Sequence, residues 1–127
     1  MIFCIDIGNS NIKYAIFDGK EIKASFRVTS QRNATSDEYG VIVRDLLKSA
    51  DIPREKIDGV IMSSVIPSLN YTMEHMCRDY LGLTPLIVGP GIKTGLNIKA
   101  DNPKESLRKR YADYLYRFRN GYDVRYH

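Results

Sequence analysis

Soft metal ligands are scarce in this sequence of 127 residues, which holds two cysteines and two histidines. Cys4 and Cys77 stand in no CxxC pair and at no metal-ligand spacing. A zinc site and a redox dithiol are therefore set aside, and two reduced, partly buried thiols are expected. His75 and His127 have no partner in view and read as surface residues. No run approaches the roughly 18 apolar residues that a membrane helix needs. The first residues have no basic n-region and carry Asp6 inside their apolar run, so they do not read as a secretory signal, and a cytoplasmic location is expected. The better-known phosphate signatures are missing as well. There is no GxxxxGK[ST], and Gly89, Gly91 and Gly95 have neither GxGxxG spacing nor a helix after them, so P-loop and Rossmann readings fail. No internal repeat is visible.

What is present is ordinary in amount and uneven in placement. Apolar residues make up 43% and charged residues 27%, as in a soluble globular domain with a real core. The net charge of +4 comes from one end: residues 104–127 hold seven Lys/Arg against three Asp/Glu, and the remainder is balanced. The same stretch contains five of the nine tyrosines. Two units are therefore expected, a domain over 1–103 and a basic, Tyr-rich tail over 104–127.

Periodicity organises the first unit. Ile2 to Ile5 read as a central strand, Gly8 to Asn11 as a tight turn and Ile12 to Phe17 as a returning strand. Glu21 to Val28 reads as a third strand, with Ile22, Ala24 and Phe26 alternating onto one face. Thr35-Ser36-Asp37-Glu38 is a capping-box signature, followed at helical spacing by Tyr39, Ile42, Val43, Leu46, Leu47 and Ala50, up to a stop at Asp51-Ile52-Pro53. Ile57 to Met62 reads as a buried strand ending in Ser63-Ser64. Pro67 to Leu81 reads as a second amphipathic helix closed by Gly82, and Pro85 to Val88 as a last strand. The order is βββαβα. The fold class is α/β, a mixed sheet of about five strands with two helices.

The chemistry concentrates where β-structure meets the first turn. Asp6 ends an apolar strand, and a carboxylate there is costly unless something pairs with it. Gly8, Asn9, Ser10 and Asn11 offer backbone N–H groups and small polar side chains, and Lys13 follows. Together they suit a metal–phosphate group. Taken alone, Asn9 and Asn11 are as well explained by turn chemistry, Lys13 by a solvated strand end, and Ser63 and Ser64 by turn formation.

Three stretches in order, DIGNSNIKYAIFDG (6–19), SSVIPSLN (63–70) and LIVGPGIKTGLNIKADNP (86–103), add specificity. Over about residues 1–105 the sequence resembles the N-terminal half of type III pantothenate kinase. This resemblance implies one half of an actin-like (ribonuclease H-like) ATPase fold. It also implies ATP-dependent phosphorylation of pantothenate, the first step of coenzyme A synthesis. It assigns ATP phosphates to Asp6, Gly8, Asn9, Ser10, Asn11 and Lys13, with Asp6 next to a divalent metal such as Mg²⁺, and it implies a monovalent cation, NH₄⁺ or K⁺. Gly89, Gly91, Lys93, Thr94 and Gly95 are implied to wall the pantothenate pocket. Self-association is expected, through an apolar sheet face left exposed toward a second half. Neither a membrane nor a nucleic-acid partner is expected.

The resemblance weakens after the DNP at 101–103. The family continues there through GADR, whose aspartate is the catalytic base. Residues 107–110 are Leu107, Arg108, Lys109 and Arg110, so Lys109 stands where the base is expected, and the catalytic residue is left unassigned. Ala100 replaces a family tyrosine. The tail is read first as a frame-shifted or truncated continuation. A helix over Lys104 to Phe118 and a basic extension are the other readings. The competing function is a non-enzymatic binding module or transcription accessory factor with a basic tail.

Overall fold

The computed structural model describes residues 1–88. The loop at 89–103 and the tail at 104–127, with Gly89, Gly91, Lys93, Thr94, Gly95, Lys109 and His127, lie outside the described residues.

Five strands make one mixed sheet in the order β3-β2-β1-β4-β5. They are β1 (Ile2–Ile7), β2 (Asn11–Asp18), β3 (Glu21–Thr29), β4 (Gly59–Ser64) and β5 (Leu86–Val88). β1, β2 and β3 form an antiparallel meander, whereas β4 runs parallel to β1 and β5 parallel to β4. The expected βββαβα order holds, and β5 closes the sheet. β1 runs two residues further than its apolar core suggests, so Asp6 lies within the strand and not beyond it.

Helix α1 (Ser36–Ser49) starts at the expected capping box: the Glu38 N–H donates to Thr35 Oγ1, and the Thr35 N–H donates to the Glu38 carboxylate. It stops in a left-handed residue, Asp51 at φ 57°. There the Asp51 and Ile52 amides return to the Lys48 and Leu47 carbonyls, satisfying the last orphan acceptors. Ile42, expected inward, is exposed; Tyr39, Val43 and Leu47 carry the buried stripe. Helix α2 (Pro67–Met76) has proline in its first turn, where no N–H is needed, and gives way to a π-helical turn over Cys77–Leu81. Gly82, at φ 69°, ends it.

Both helices cover one face of the sheet. Phe3, Ile5 and Ile7 of β1, with Ile12, Tyr14 and Ile16 of β2, pack there against Tyr39, Val43, Leu69, Met73 and Cys77. A second cluster on the opposite face is built from strand residues: Ile2, Cys4, Ala15, Phe17, Ile22, Ile61 and Val88. The expected exposed apolar sheet face is not seen among the described residues: each of these side chains is buried. Both thiols are fully buried, more so than expected. Burial pushes the Cys77 thiol up to about 12 and raises Cys4 well above its ordinary value. His75 is half-buried, its ring 4.4 Å from that of Tyr71.

A further departure concerns β3. Its register with β2 shifts between Ile16 and Phe17. Lys23 is the extra residue of this bulge, so Ile22 joins the second cluster while Ala24, Phe26 and Val28 pack against the first. The expected single face for Ile22, Ala24 and Phe26 is split, because one inserted residue reverses every side chain that follows.

Two substitutions test this packing. A Cβ on Gly40 would collide with the ring of Tyr80, whose hydroxyl donates to Asp37 at 2.9 Å. Gly40→Ala is expected to destabilise by about 1–3 kcal/mol, although alanine is the better helix former. In a Tyr80→Ala background, adding Gly40→Ala should raise the melting temperature. The buried Tyr14 hydroxyl has no hydrogen-bond partner among the described residues, and burial raises its pKa. Tyr14→Phe, which keeps the stack on Phe3, is expected to be neutral or stabilising by up to about 1 kcal/mol in thermal or urea unfolding.

Candidate functional site

Strand alternation decides where the acidic residue points. Ile5 and Ile7 face the helices, so Asp6 faces the other side together with Cys4. Asp6 is in register with Lys13 across the antiparallel pair and with Ser63 across the parallel pair. Cross-strand partners share a face, so Lys13, Asp6 and Ser63 form one polar row at the end of the apolar cluster. Asp6 and Lys13 are half-buried and Ser63 is buried. The row therefore lies at the edge of the core, where a carboxylate and an ammonium keep access to solvent on one side.

The turn above the row is a built structure. The Gly8 N–H donates to the Asn11 carbonyl at 2.9 Å, which closes the turn. A Cβ on Gly8 would come within 3.1 Å of the same oxygen, so glycine serves here by lacking a side chain. Its amide is used inside the turn. Asn9 and Ser10 are the exposed residues, and no backbone carbonyl among the described residues accepts from either amide. Asn11 is half-buried and starts β2.

A residue that sequence reasoning passed over holds the turn in place. Ser30, just past β3, donates its N–H to the Ser10 carbonyl at 2.9 Å and its hydroxyl to the Gly8 carbonyl at 2.7 Å. The next residue is anchored in turn: the Gln31 N–H donates to the Tyr39 hydroxyl and that hydroxyl donates to the Gln31 carbonyl, both at 2.8 Å. No sequence signal marked it, because the pairing of Asn11 with Thr29 that brings Ser30 beside Ser10 depends on the bulge at Lys23.

The two serines that end β4 separate. Ser63 takes its place in the polar row. Ser64 closes the turn into α2, accepting from the Ile66 N–H at 2.9 Å and donating to the Ile66 carbonyl at 3.0 Å. The Val65 N–H donates to the Ile7 carbonyl at 3.0 Å and holds this turn against the end of β1.

Comparison with known proteins identifies the fold and the family. Two solved structures share the fold: a ROK hexokinase from Thermus thermophilus, with TM-score 0.54, 10% identity, and coverage of 69% of this chain and 34% of that one, and a protein described as an N-acetylglucosamine kinase from Porphyromonas gingivalis, with TM-score 0.53, 15% identity, and coverage of 70% and 34%. These identities speak for the fold alone, the actin-like α/β fold. Type III pantothenate kinases from Brevibacillus brevis and from a Geobacillus species are 50% and 47% identical over 105 residues, which is 83% of this chain. The chain spans 41% of the length of these relatives. The family model for type III pantothenate kinase matches residues 2–120, nearly the whole chain, and with relatives this similar the chain belongs to that family.

Proposed function

We propose that this chain carries the metal and polyphosphate end of an ATP-dependent pantothenate kinase. The observation that carries the reading is the row of Lys13, Asp6 and Ser63 beside a turn whose Asn9 and Ser10 amides donate to no backbone carbonyl among the described residues. In phosphoryl transfer the protein mainly positions the reacting oxygens and neutralises charge. Lys13 and the Asn9 and Ser10 amides supply positive charge and directed donors for phosphate oxygens. Asn11 and the small Gly8 shape the turn around them.

A Mg²⁺ ion fits the residues present. It usually takes one or two carboxylates from the protein and the rest of its shell from phosphate oxygens and water. Asp6 offers one carboxylate beside the anion-binding turn, and no cluster of three His, Cys, Asp or Glu occurs among the described residues. The ion would neutralise charge on the phosphate oxygens. The NH₄⁺ or K⁺ requirement, the pantothenate pocket around Gly89, Gly91, Lys93, Thr94 and Gly95, a cytoplasmic location and self-association belong to the same proposal. So does the division into a domain over 1–103 and a basic tail over 104–127. They rest on the family resemblance and not on described geometry. Among the described residues, no helix is long and apolar enough to cross a membrane.

Calorimetry with MgATP tests the site. Asp6→Asn is expected to weaken binding by at least about tenfold, the scale of one charge-assisted interaction, with little change in melting temperature. Equal binding by the variant would remove Asp6 from the site. Ser30→Ala should weaken binding about fivefold through loss of one hydrogen bond that braces the turn, and Ser30→Thr should restore most of it.

Turnover tests the other end of the chain. With Lys109 at the expected base position, the general-base contribution of about 10²- to 10⁴-fold is absent. The 127-residue chain with MgATP, pantothenate and NH₄⁺ or K⁺ is expected to form no phosphopantothenate above background. Measurable formation would show that Lys109 does not occupy that position.

A further inference from the structure

The polar row does not end at Lys13. Across the next antiparallel pair Lys13 is in register with Arg27 of β3, so Arg27, Lys13, Asp6 and Ser63 stand side by side over four strands on the face away from the helices. Arg27 is exposed, while its neighbours Phe26 and Val28 are partly buried on the helix-covered face. Neither Arg27 nor Lys13 has an ion-pair partner among the described residues. Like charges directly opposite one another across a strand pair repel. A row with two cations and one carboxylate has an excess of one positive charge, and an anion seated between the cations would relieve the repulsion.

We infer that Arg27 is a second cationic ligand for the polyphosphate, holding phosphate oxygens on the β3 side of Lys13. The inference rests on the reading of the row as a phosphate site and extends it by one strand. Neighbouring strands lie about 5 Å apart, so Arg27 stands about 10 Å from Asp6 at the Cα atoms. An extended arginine side chain reaches back over Lys13 from there. The distribution suits a chain of phosphates better than a single one: Asp6 with its metal ion at one end, Lys13 and the open amides in the middle, and a planar guanidinium able to engage two oxygens at the other.

The test is titration of the full chain with MgATP, inorganic tripolyphosphate and AMP, using Arg27→Gln, Arg27→Lys, Asp6→Asn and, as a control, Lys23→Gln on the same strand. Arg27→Gln is expected to weaken MgATP and tripolyphosphate binding about tenfold, to leave AMP binding within about twofold and to lower the salt dependence of tripolyphosphate binding. Arg27→Lys should recover part of the loss, because a point charge replaces a two-pronged one. Unchanged tripolyphosphate affinity in Arg27→Gln, with Asp6→Asn still impaired for MgATP, would overturn the inference and leave the site standing. An equal loss in Lys23→Gln would also overturn it, by showing an effect of net charge alone. If the unchanged chain binds neither ligand at millimolar concentration, or Asp6→Asn binds MgATP normally, the site reading fails and the inference fails with it.

Discussion

β1 is hydrogen-bonded on both edges, antiparallel to β2 on one side and parallel to β4 on the other, and it cannot slip by one residue without turning its whole pattern over. Phe3, Ile5 and Ile7 would then leave the helix-covered core, and Asp6 would enter it with no aqueous side. The apolar residues thus hold the carboxylate where it is. Burial of several large side chains, each contributing about 1.5–3 kcal/mol, fixes the direction of one charged group that could not secure its own position. The same register brings Lys13 and Ser63 to Asp6, although they stand 7 and 57 positions further along the chain. A polar row assembled from three strands in this way is as rigid as the sheet.

The turn needs a different kind of support, because exposed loops have no core to hold them. Here the support is a relay of hydrogen bonds. The capping box starts α1 and sets Tyr39 one turn into it; Tyr39 is buried, and its hydroxyl bonds the backbone N–H and carbonyl of Gln31. Ser30, next in the chain, clamps the carbonyls of Gly8 and Ser10. With those carbonyls held, the two peptide planes that carry the Asn9 and Asn11 N–H groups cannot rotate freely. In the proposed site, donors already ordered would spare an anion the cost of ordering them, which is how preorganised sites gain affinity. The first turn of a helix on one side of the sheet therefore bears on the shape of the turn at the end of the sheet.

Local rules carried far in this chain. The capping box at Thr35, the stop at Asp51-Ile52-Pro53, the glycine that ends the second helix and the alternation of β1 and β2 were all legible, because each depends on residues within a turn of one another. Asp6 stood out because a carboxylate closing an apolar strand needs a reason. Ser30 escaped notice because its two acceptors lie about twenty residues away and a serine after a strand has no signature of its own. The π-helical turn at Cys77–Leu81 and the contact of Gly40 with Tyr80 escaped for the same reason, since both are settled by the packing of two helices that periodicity treats one at a time.

The bulge in β3 shows how much a non-local detail can change a chemical reading. Counted back from the turn at Gly19, an unbroken hairpin would set Arg27 opposite Ile12 and Phe26 opposite Lys13, because the pairs nearest the turn are Asp18 with Glu21 and Phe17 with Ile22. Arg27 would then be aimed at the helix-covered core, and Phe26 would lie in the polar row. Both placements are costly: one buries a guanidinium without a partner, the other brings an aromatic ring to a charged edge. Inserting Lys23 as an unpaired residue avoids both at the expense of one break in the ladder. It also lets Ile22 fill the second cluster while Phe26 and Val28 fill the first. The hydrophobic pattern of β3 on its own favours a single continuous face, so the sequence of that strand argues for the wrong register. The sum of demands from both faces of the sheet selects the bulged one, and it is this selection that brings Arg27 opposite Lys13.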